Sequence, residues 1–271
     1  MPRPRSSGVR LQAGRTGLEE QATGGRLESP ARKPLDRRAL NSIYARLLGR
    51  YGHQQWWPTA SEDPEEQRFE ICLGAILTQN TSWRGAAAAL ANLHGAGATT
   101  AEAILDLPQD VLASLVRPSG HFNVKARKLQ AFCEAVVLDG GGSVDALLDG
   151  TVDTVDEVRA RLLGIWGIGQ ETADAMTLYA ARLPTFVVDA YAYRIMERLG
   201  RPPGPRKYEV YRAAFLSKIG PDVVMLNEWH ALLVRHGQQT CTKTRPKCGE
   251  CPLLPQCDFG RLEMRGQESH R

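Results

Sequence analysis

The 271-residue chain has no apolar run approaching the roughly 20 residues that a membrane-spanning helix needs, so no membrane partner is expected. Its opening residues, MPRPRSSGVRLQAGRTG, carry arginines with no apolar stretch behind them, which excludes a secretory signal. They share the arginine and serine content of an organelle transit segment, but Glu19 and Glu20 count against one, and a cytoplasmic, nucleoid-associated location is expected. Sustained two-residue alternation is missing as well, which excludes a sheet-based fold and leaves only Thr185–Val188 as a short extended piece. No internal repeat is found. Excess charge is missing from the part expected to fold. Residues 1–34 hold seven basic and three acidic residues, the whole of the net charge of +4, and the remainder is neutral. Any argument for nucleic acid therefore has to be local.

What is present is helix after helix. Residues 1–34 mix Arg, Gly, Pro and Ser without periodicity and read as a disordered basic tail. Order is predicted from Asp36, an N-cap for a stripe of Leu40, Ile43, Tyr44, Leu47, Leu48 and Tyr51, which the Pro/Glu-rich stretch 58–66 breaks. Further helices are predicted over Phe69–Leu77, Arg84–His94, Thr100–Leu107, Gln109–Val116, Asn123–Leu138 and Ser143–Leu148. Thr154 and Glu157 have capping-box spacing and open Val155–Leu163. Helices over Glu171–Arg182, Ala190–Leu199, Lys207–Lys218 and Pro221–His236 follow, with Gly or Pro in most linkers. The fold class is all-α.

Three stretches carry chemistry. In Leu163–Ala173 an apolar helix runs into Gly167-Ile168-Gly169 and a second helix starts at once. The glycines allow a tight connection, Ile168 can anchor it, and the amides at the new N-terminus can meet a DNA phosphate. A plain helix-to-helix turn has the same residues. Downstream, Phe186-Val187-Val188-Asp189-Ala190-Tyr191 places Asp189 eighteen residues after Glu171, where it reads as the N-cap of the next helix. Near the C-terminus, Cys241, Cys248, Cys251 and Cys257 are separated by six, two and five residues. Four thiolates so close in a chain without an export signal favour metal over disulfides, and spacing alone leaves a [4Fe–4S] cluster and zinc both open. Cys72 and Cys133 stand alone in apolar helical stretches, as small buried hydrophobes do.

Together these stretches resemble the endonuclease III-like helix-hairpin-helix DNA glycosylases over roughly residues 36–258. That family's hairpin core reads leucine, proline, glycine, valine, glycine, and Trp166 here stands in place of the proline. Its cluster has the six-two-five cysteine spacing, so the resemblance implies a [4Fe–4S] cofactor on Cys241, Cys248, Cys251 and Cys257. It implies a catalytic carboxylate at Asp189 and DNA contacts by Gly167, Ile168 and Gly169. It makes Gln79 the residue that fills the gap left by a flipped base. Pro118–Ala126 becomes an intercalation loop in which His121 or Phe122 wedges the stack and Lys125 reaches a phosphate. Lys243, Arg245 and Lys247, in the first cluster loop, become a phosphate-binding surface.

The departures from the family set the expected reaction. Bifunctional members have a lysine two residues after the last hairpin glycine, and it forms a Schiff base with the sugar. Glu171 occupies that position, so no lyase step through it is expected and water becomes the nucleophile. Ala75 stands where adenine-mismatch glycosylases need a glutamate. The strings Gly-Ile-Gly-Gln-Glu-Thr-Ala-Asp-Ala and Val-Val-Asp-Ala-Tyr look closer to the endonuclease III-type 3-methyladenine glycosylases, whose alkylated purines leave readily. The expectation is thus a monofunctional base-excision DNA glycosylase, a monomer, acting on double-stranded DNA with a damaged base. The alternative is a non-catalytic paralogue that binds DNA or lesions without excising a base. The implied layout has two helical domains flanking a DNA cleft: a six-helix barrel with the hairpin over 60–183, and a cluster domain combining 35–59 with 184–258. Tails are expected over 1–34 and 259–271.

Overall fold

A computed structural model describes residues 33–149 and 154–268. The expected basic tail lies outside these residues except for Lys33 and Pro34. Both are held: Lys33 pairs with Asp258 and donates its backbone N–H to Gly200 O at 2.9 Å, and Arg201 bonds Pro34 O.

The described residues are all-α, with thirteen α-helices and no strand. Helix α1 (Arg37–Tyr51) starts where Asp36 accepts from Ala39 N at 2.7 Å. Helix α2 (Pro64–Leu77) starts earlier than the apolar pattern suggests, because Asp63 caps it and Pro64 occupies the first turn, where a missing N–H does no harm. Every residue of Phe69–Leu77 is buried. Helices α3 (Trp83–Gly95), α6 (Phe122–Leu138), α7 (Val144–Leu147) and α9 (Gln170–Ala175) all pack against α2. Helices α4 (Ala101–Leu105) and α5 (Gln109–Leu115) close over α6. Helix α8 (Val155–Gly164) packs on α9 and has both hydrogen bonds of the predicted capping box.

A second group contains α1 with α10 (Ala190–Arg198), α11 (Tyr208–Ile219), α12 (Val223–Gln239) and α13 (Asp258–Glu268). Helix α1 packs on α11 and α12, so the chain leaves this group after its first helix and returns at α10. Trp229 of α12, 2% exposed, holds the joint against Tyr44 and Phe215 with ring centroids 5.6 and 5.9 Å away. The two groups share one continuous hydrophobic core.

Three features differ from the sequence reading. The helix expected over Glu171–Arg182 turns π-helical at Met176–Ala180, with Ala181 N bonding Met176 O at 2.9 Å, and this turn packs on both α2 and α12. Thr185–Val188, expected as a short extended piece, has no regular secondary structure. The residues after 258, expected as a tail, form α13, which packs on α10 and on the turn at Cys248–Glu250. The apolar residues Phe259 and Leu254, with Gly260 buried between the segments, supply a docking face too short to show as a period. No helix among the described residues is long and apolar enough to cross a membrane.

Candidate active site and nucleic-acid interface

The hairpin is held by local bonding and by one anchor. Ile168 N donates to Ile165 O at 3.1 Å, and the Ile168 side chain is buried. The two glycines do different things. Gly167 has φ +85°, and a Cβ there would lie 2.5 Å from Lys128 Cγ, so only glycine fits. Gly169, with φ −97° and ψ 177°, is ordinary extended backbone, and a Cβ there meets nothing within 4 Å. As N-cap it offers no side-chain acceptor, which leaves the first amides of α9 open to an external anion.

Buried polar bonds tie this hairpin to the segment that carries Asp189. Asp174, fully buried on α9, accepts from Arg159 Nε at 3.0 Å and Thr185 Oγ1 at 2.5 Å, with Arg212 Nε at 3.3 Å. Tyr208 Oη donates to Gln170 O at 3.2 Å and lies 3.4 Å from Val188 N. Hairpin and aspartate are thereby fixed to the same frame.

Asp189 caps α10, its Oδ1 accepting from Ala192 N at 2.7 Å, and is 7% exposed. Its Oδ2 faces Nε2 of His230 on α12 at 3.6 Å. His230 Nδ1 lies 2.5 Å from the hydroxyl of Tyr179, on the π-helical turn. Glu171 opens to solvent at the rim of this group, yet surrounding protein pushes its carboxyl up to about 7, with the nearby charge of Asp189 adding to the effect and His230 opposing it. Burial, with Asp189 and Glu228 behind it, holds the Tyr179 phenol well above the usual tyrosine range. Asp189 and Glu171 are legible from the sequence, whereas His230 and Tyr179 are not. A lone histidine on an apolar helix face looks like any buried core histidine.

Tyr179 also belongs to an aromatic group missed from sequence. Its ring lies 5.5 Å from Trp57, and Trp57 lies 5.1 Å from Trp56 and 5.3 Å from Trp83. All three tryptophans are half-buried. The available signal was Trp56-Trp57 itself, two adjacent large aromatics in an aperiodic stretch, which no single core face can absorb.

The residues expected to hold DNA open divide. Gln79, past the end of α2, donates to Gly167 O at 3.2 Å and Thr172 Oγ1 at 2.9 Å and accepts from Lys128, so it bridges helix end and hairpin. His121 is exposed at left-handed φ +47° before α6. Phe122 is half-buried beneath Arg117, whose guanidinium lies 5.3 Å from the ring centre. Lys125 does not reach a phosphate. It is 2% exposed, and its ammonium donates to Leu77 O at 2.7 Å and Ser119 O at 2.6 Å, replacing the backbone partners those helix-end carbonyls lack. Burial, with Lys128 nearby, lowers its pKa to about 8. The cations near the hairpin are instead Lys128 and Arg127, the latter 4.7 Å over the ring of Trp166, which is 51% exposed.

Cys241, Cys248, Cys251 and Cys257 line one cavity, together with apolar side chains such as Ile195 and Leu199. Donors already point at the sulfurs: Arg198 Nη1 lies 3.2 Å from Cys241 Sγ, and Gly260 N lies 3.3 Å from Cys257 Sγ. Arg198 also bonds the carbonyls of Thr242 and Lys243 at 2.8 and 3.0 Å, pinning a loop on which Lys243, Arg245 and Lys247 are exposed. Among the described residues no three His, Cys, Asp or Glu converge on a single metal position. Cys72 and Cys133 are buried, and burial raises both thiols far above the usual range.

Proteins similar to this chain in sequence and in fold are known. Residues 73–220 match the family described as HhH-GPD superfamily base excision DNA repair protein. A Methanocaldococcus jannaschii protein provisionally designated a DNA repair glycosylase (MJ1434) is 39% identical over 218 residues, covering 80% of this chain and 95% of its own. Endonuclease III of Haemophilus influenzae is 29% identical over 213 residues, covering 79% and 93%. Among solved structures, a non-covalent endonuclease III–DNA complex matches with a TM-score of 0.72 at 20% identity, over 85% of this chain and 99% of that one, a likeness of fold. The 3-methyladenine DNA glycosylase of H. pylori bound to 1,N6-ethenoadenine matches with a TM-score of 0.62 at 28% identity, over 76% and 98%.

Proposed function

Because the chain belongs to the HhH-GPD superfamily of base excision DNA repair proteins, we propose that it is a monofunctional DNA N-glycosylase that removes an alkylated purine from duplex DNA. The observation that carries this reading is Asp189, capped into place beside Glu171 at the position where a lyase would need an amine.

Breaking an N-glycosidic bond builds positive charge on the sugar. A carboxylate fixed in a poorly hydrated recess stabilises that charge far better than one in water. Asp189 has that setting, and the same carboxylate can orient the attacking water. Glu171 has no nitrogen with which to form an imine, so the sugar is left as an intact abasic site. The amides opening α9, with exposed Lys243, Arg245 and Lys247, would take the phosphates, and His121 or Phe122 would fill the stack where the base has left.

The aromatic group of Trp56, Trp57, Trp83 and Tyr179 supports the substrate class. Purines methylated at a ring nitrogen such as N3 are cationic, and electron-rich ring faces attract cations that have been stripped of water. The 28% identity with a 3-methyladenine glycosylase, spanning nearly all of that chain, points the same way. The four cysteines lining one cavity, with an arginine and a backbone amide aimed at two sulfurs, fit the donor set of a [4Fe–4S] cluster. When bound, that group would fix the basic loop rigidly for DNA, and it enters no step of base removal.

The test uses duplexes each bearing one lesion: 3-methyladenine or a stable analogue, ethenoadenine, hypoxanthine, uracil, an oxidised pyrimidine or an abasic site. Each reaction is run directly and after alkali. Strand breaks only after alkali, on the alkylated purines and abolished by Asp189→Asn, are the expected result. Breaks without alkali, trapped by borohydride, would overturn the monofunctional reading. DNA binding with no product from any duplex would identify a non-catalytic paralogue instead.

A further inference from the structure

The far side of Asp189 holds a buried group that the mechanism above leaves unused. His230 is 7% exposed, and its Nε2 has no hydrogen-bond partner within ordinary bonding distance. Buried ring nitrogens are rarely left without one. The carboxylate facing it is Asp189, with Oδ2 at 3.6 Å, a separation that can tighten when substrate closes the site.

The tautomer follows from elementary chemistry. A lone pair on Nε2 aimed at a carboxylate oxygen would set two acceptors face to face, so Nε2 carries the proton. In a neutral ring Nδ1 is then the acceptor, and the Tyr179 hydroxyl at 2.5 Å must be the donor. The other acceptor near that hydroxyl, Asn227 O, is more distant at 3.5 Å. The chain of donation runs from Tyr179 to His230 to Asp189. With Ala192 N on Oδ1, both oxygens of the carboxylate are then held.

We propose that His230 is a positioning residue for base excision: its Nε2–H aims the Asp189 carboxylate, while Tyr179 sets its tautomer and links the carboxylate to the aromatic group around Trp57. This rests on the glycosylase reading. A carboxylate held at both oxygens presents its charge at one point, and charge aimed in advance stabilises a transition state without reorganising.

The test combines kinetics with a readout independent of activity. In single-turnover excision, His230→Phe is expected to slow the chemical step by roughly 100-fold, the scale of a small misplacement of a catalytic group, with affinity for the lesion duplex unchanged. His230→Gln, which keeps an N–H near the Nε2 position, should recover most of the rate. In an Asp189→Asn background, His230→Phe should add no further loss, as for groups acting through one another. Nitrogen-15 NMR of the wild-type histidines, with His230 assigned by its loss in His230→Gln, should show the Nε2–H tautomer, and Tyr179→Phe, which keeps the ring, should shift its Nδ1. Unimpaired His230→Phe, no rescue by glutamine, or an Nδ1–H tautomer would each overturn the proposal. A wild-type chain that excises nothing yet shows the Nε2–H tautomer would sink the glycosylase reading and leave the hydrogen-bonded triad standing.

Discussion

Glu171 and Asp189, eighteen residues apart in sequence, come close enough that the Asp189 charge adds to desolvation by the surrounding protein in lifting the Glu171 carboxyl to about 7. Two acids brought together in a protein recess cannot both ionise freely.

That relationship has a pH signature. The folded pKa of Glu171, about 7, lies above its ordinary 4.5, so between those values the folded chain keeps a proton that the unfolded chain has lost. Stability contributed by this group is present below pH 4.5 and falls as pH rises to about 7. Glu171→Gln, with no proton to lose, should melt at a higher temperature than wild type at about pH 8 and at the same temperature near pH 4. Calorimetry at the two pH values checks this. An unchanged difference across the range would mean that Glu171 titrates as a free side chain.

The two hairpin glycines should respond differently to alanine. Gly167→Ala forces a left-handed φ on a residue with a Cβ and drives it into Lys128, and should destabilise by about 1–2 kcal/mol or more. Gly169→Ala meets no neighbour and should leave stability nearly unchanged while weakening DNA binding, because its methyl would stand beside the open amides. Urea unfolding and DNA titrations on both variants separate the effects. Equal stability losses would contradict the conformational assignment.

Asp174→Ala should be among the most damaging substitutions in the chain. It leaves Arg159 and Arg212, each with a side chain 12% exposed, without their buried partner. Removing one member of such a pair costs about 3–5 kcal/mol. Because Asp174 also ties Thr185 to α9, surviving protein should show weakened excision as well. A loss near zero in chemical denaturation would show that the network is dispensable.

Purified protein should be brown and contain about four irons per chain, the count of the proposed [4Fe–4S] cluster. Cys248→Ser should lose the iron and unfold more easily, because ligand binding energy is folding energy here. The excision activity that remains should still depend on Asp189. Metal analysis returning one zinc per chain would replace the cluster with a structural zinc site.

Much of this molecule was legible in its residues because the features concerned are local. The Asp36 cap, the Thr154–Glu157 box, the Asp189 cap and the hairpin are short-range hydrogen bonds and backbone angles that a few adjacent residues dictate. The cysteine spacing is likewise contained in 17 residues. The burial of Lys125 is not legible locally because one partner, Leu77 O, comes from the distant end of α2, and only that approach turns the ammonium inward onto it and onto Ser119 O of the same loop. The helix after residue 258 went unseen because its apolar face is two or three residues whose docking partners are brought by α10 and the cysteine turns.

What the residues determined alone, then, was the helical architecture, the turn, the carboxylate and the thiol set, since each is written in contiguous chemistry. Only tertiary structure decided that the Glu171 carboxyl is pushed up to about 7, that Tyr179 and His230 stand behind Asp189, and that Trp56, Trp57 and Trp83 gather beside them. Burial, electrostatic coupling and ring packing depend on groups 18 to more than a hundred residues apart, and no local pattern encodes the dielectric or the neighbours that a folded chain supplies.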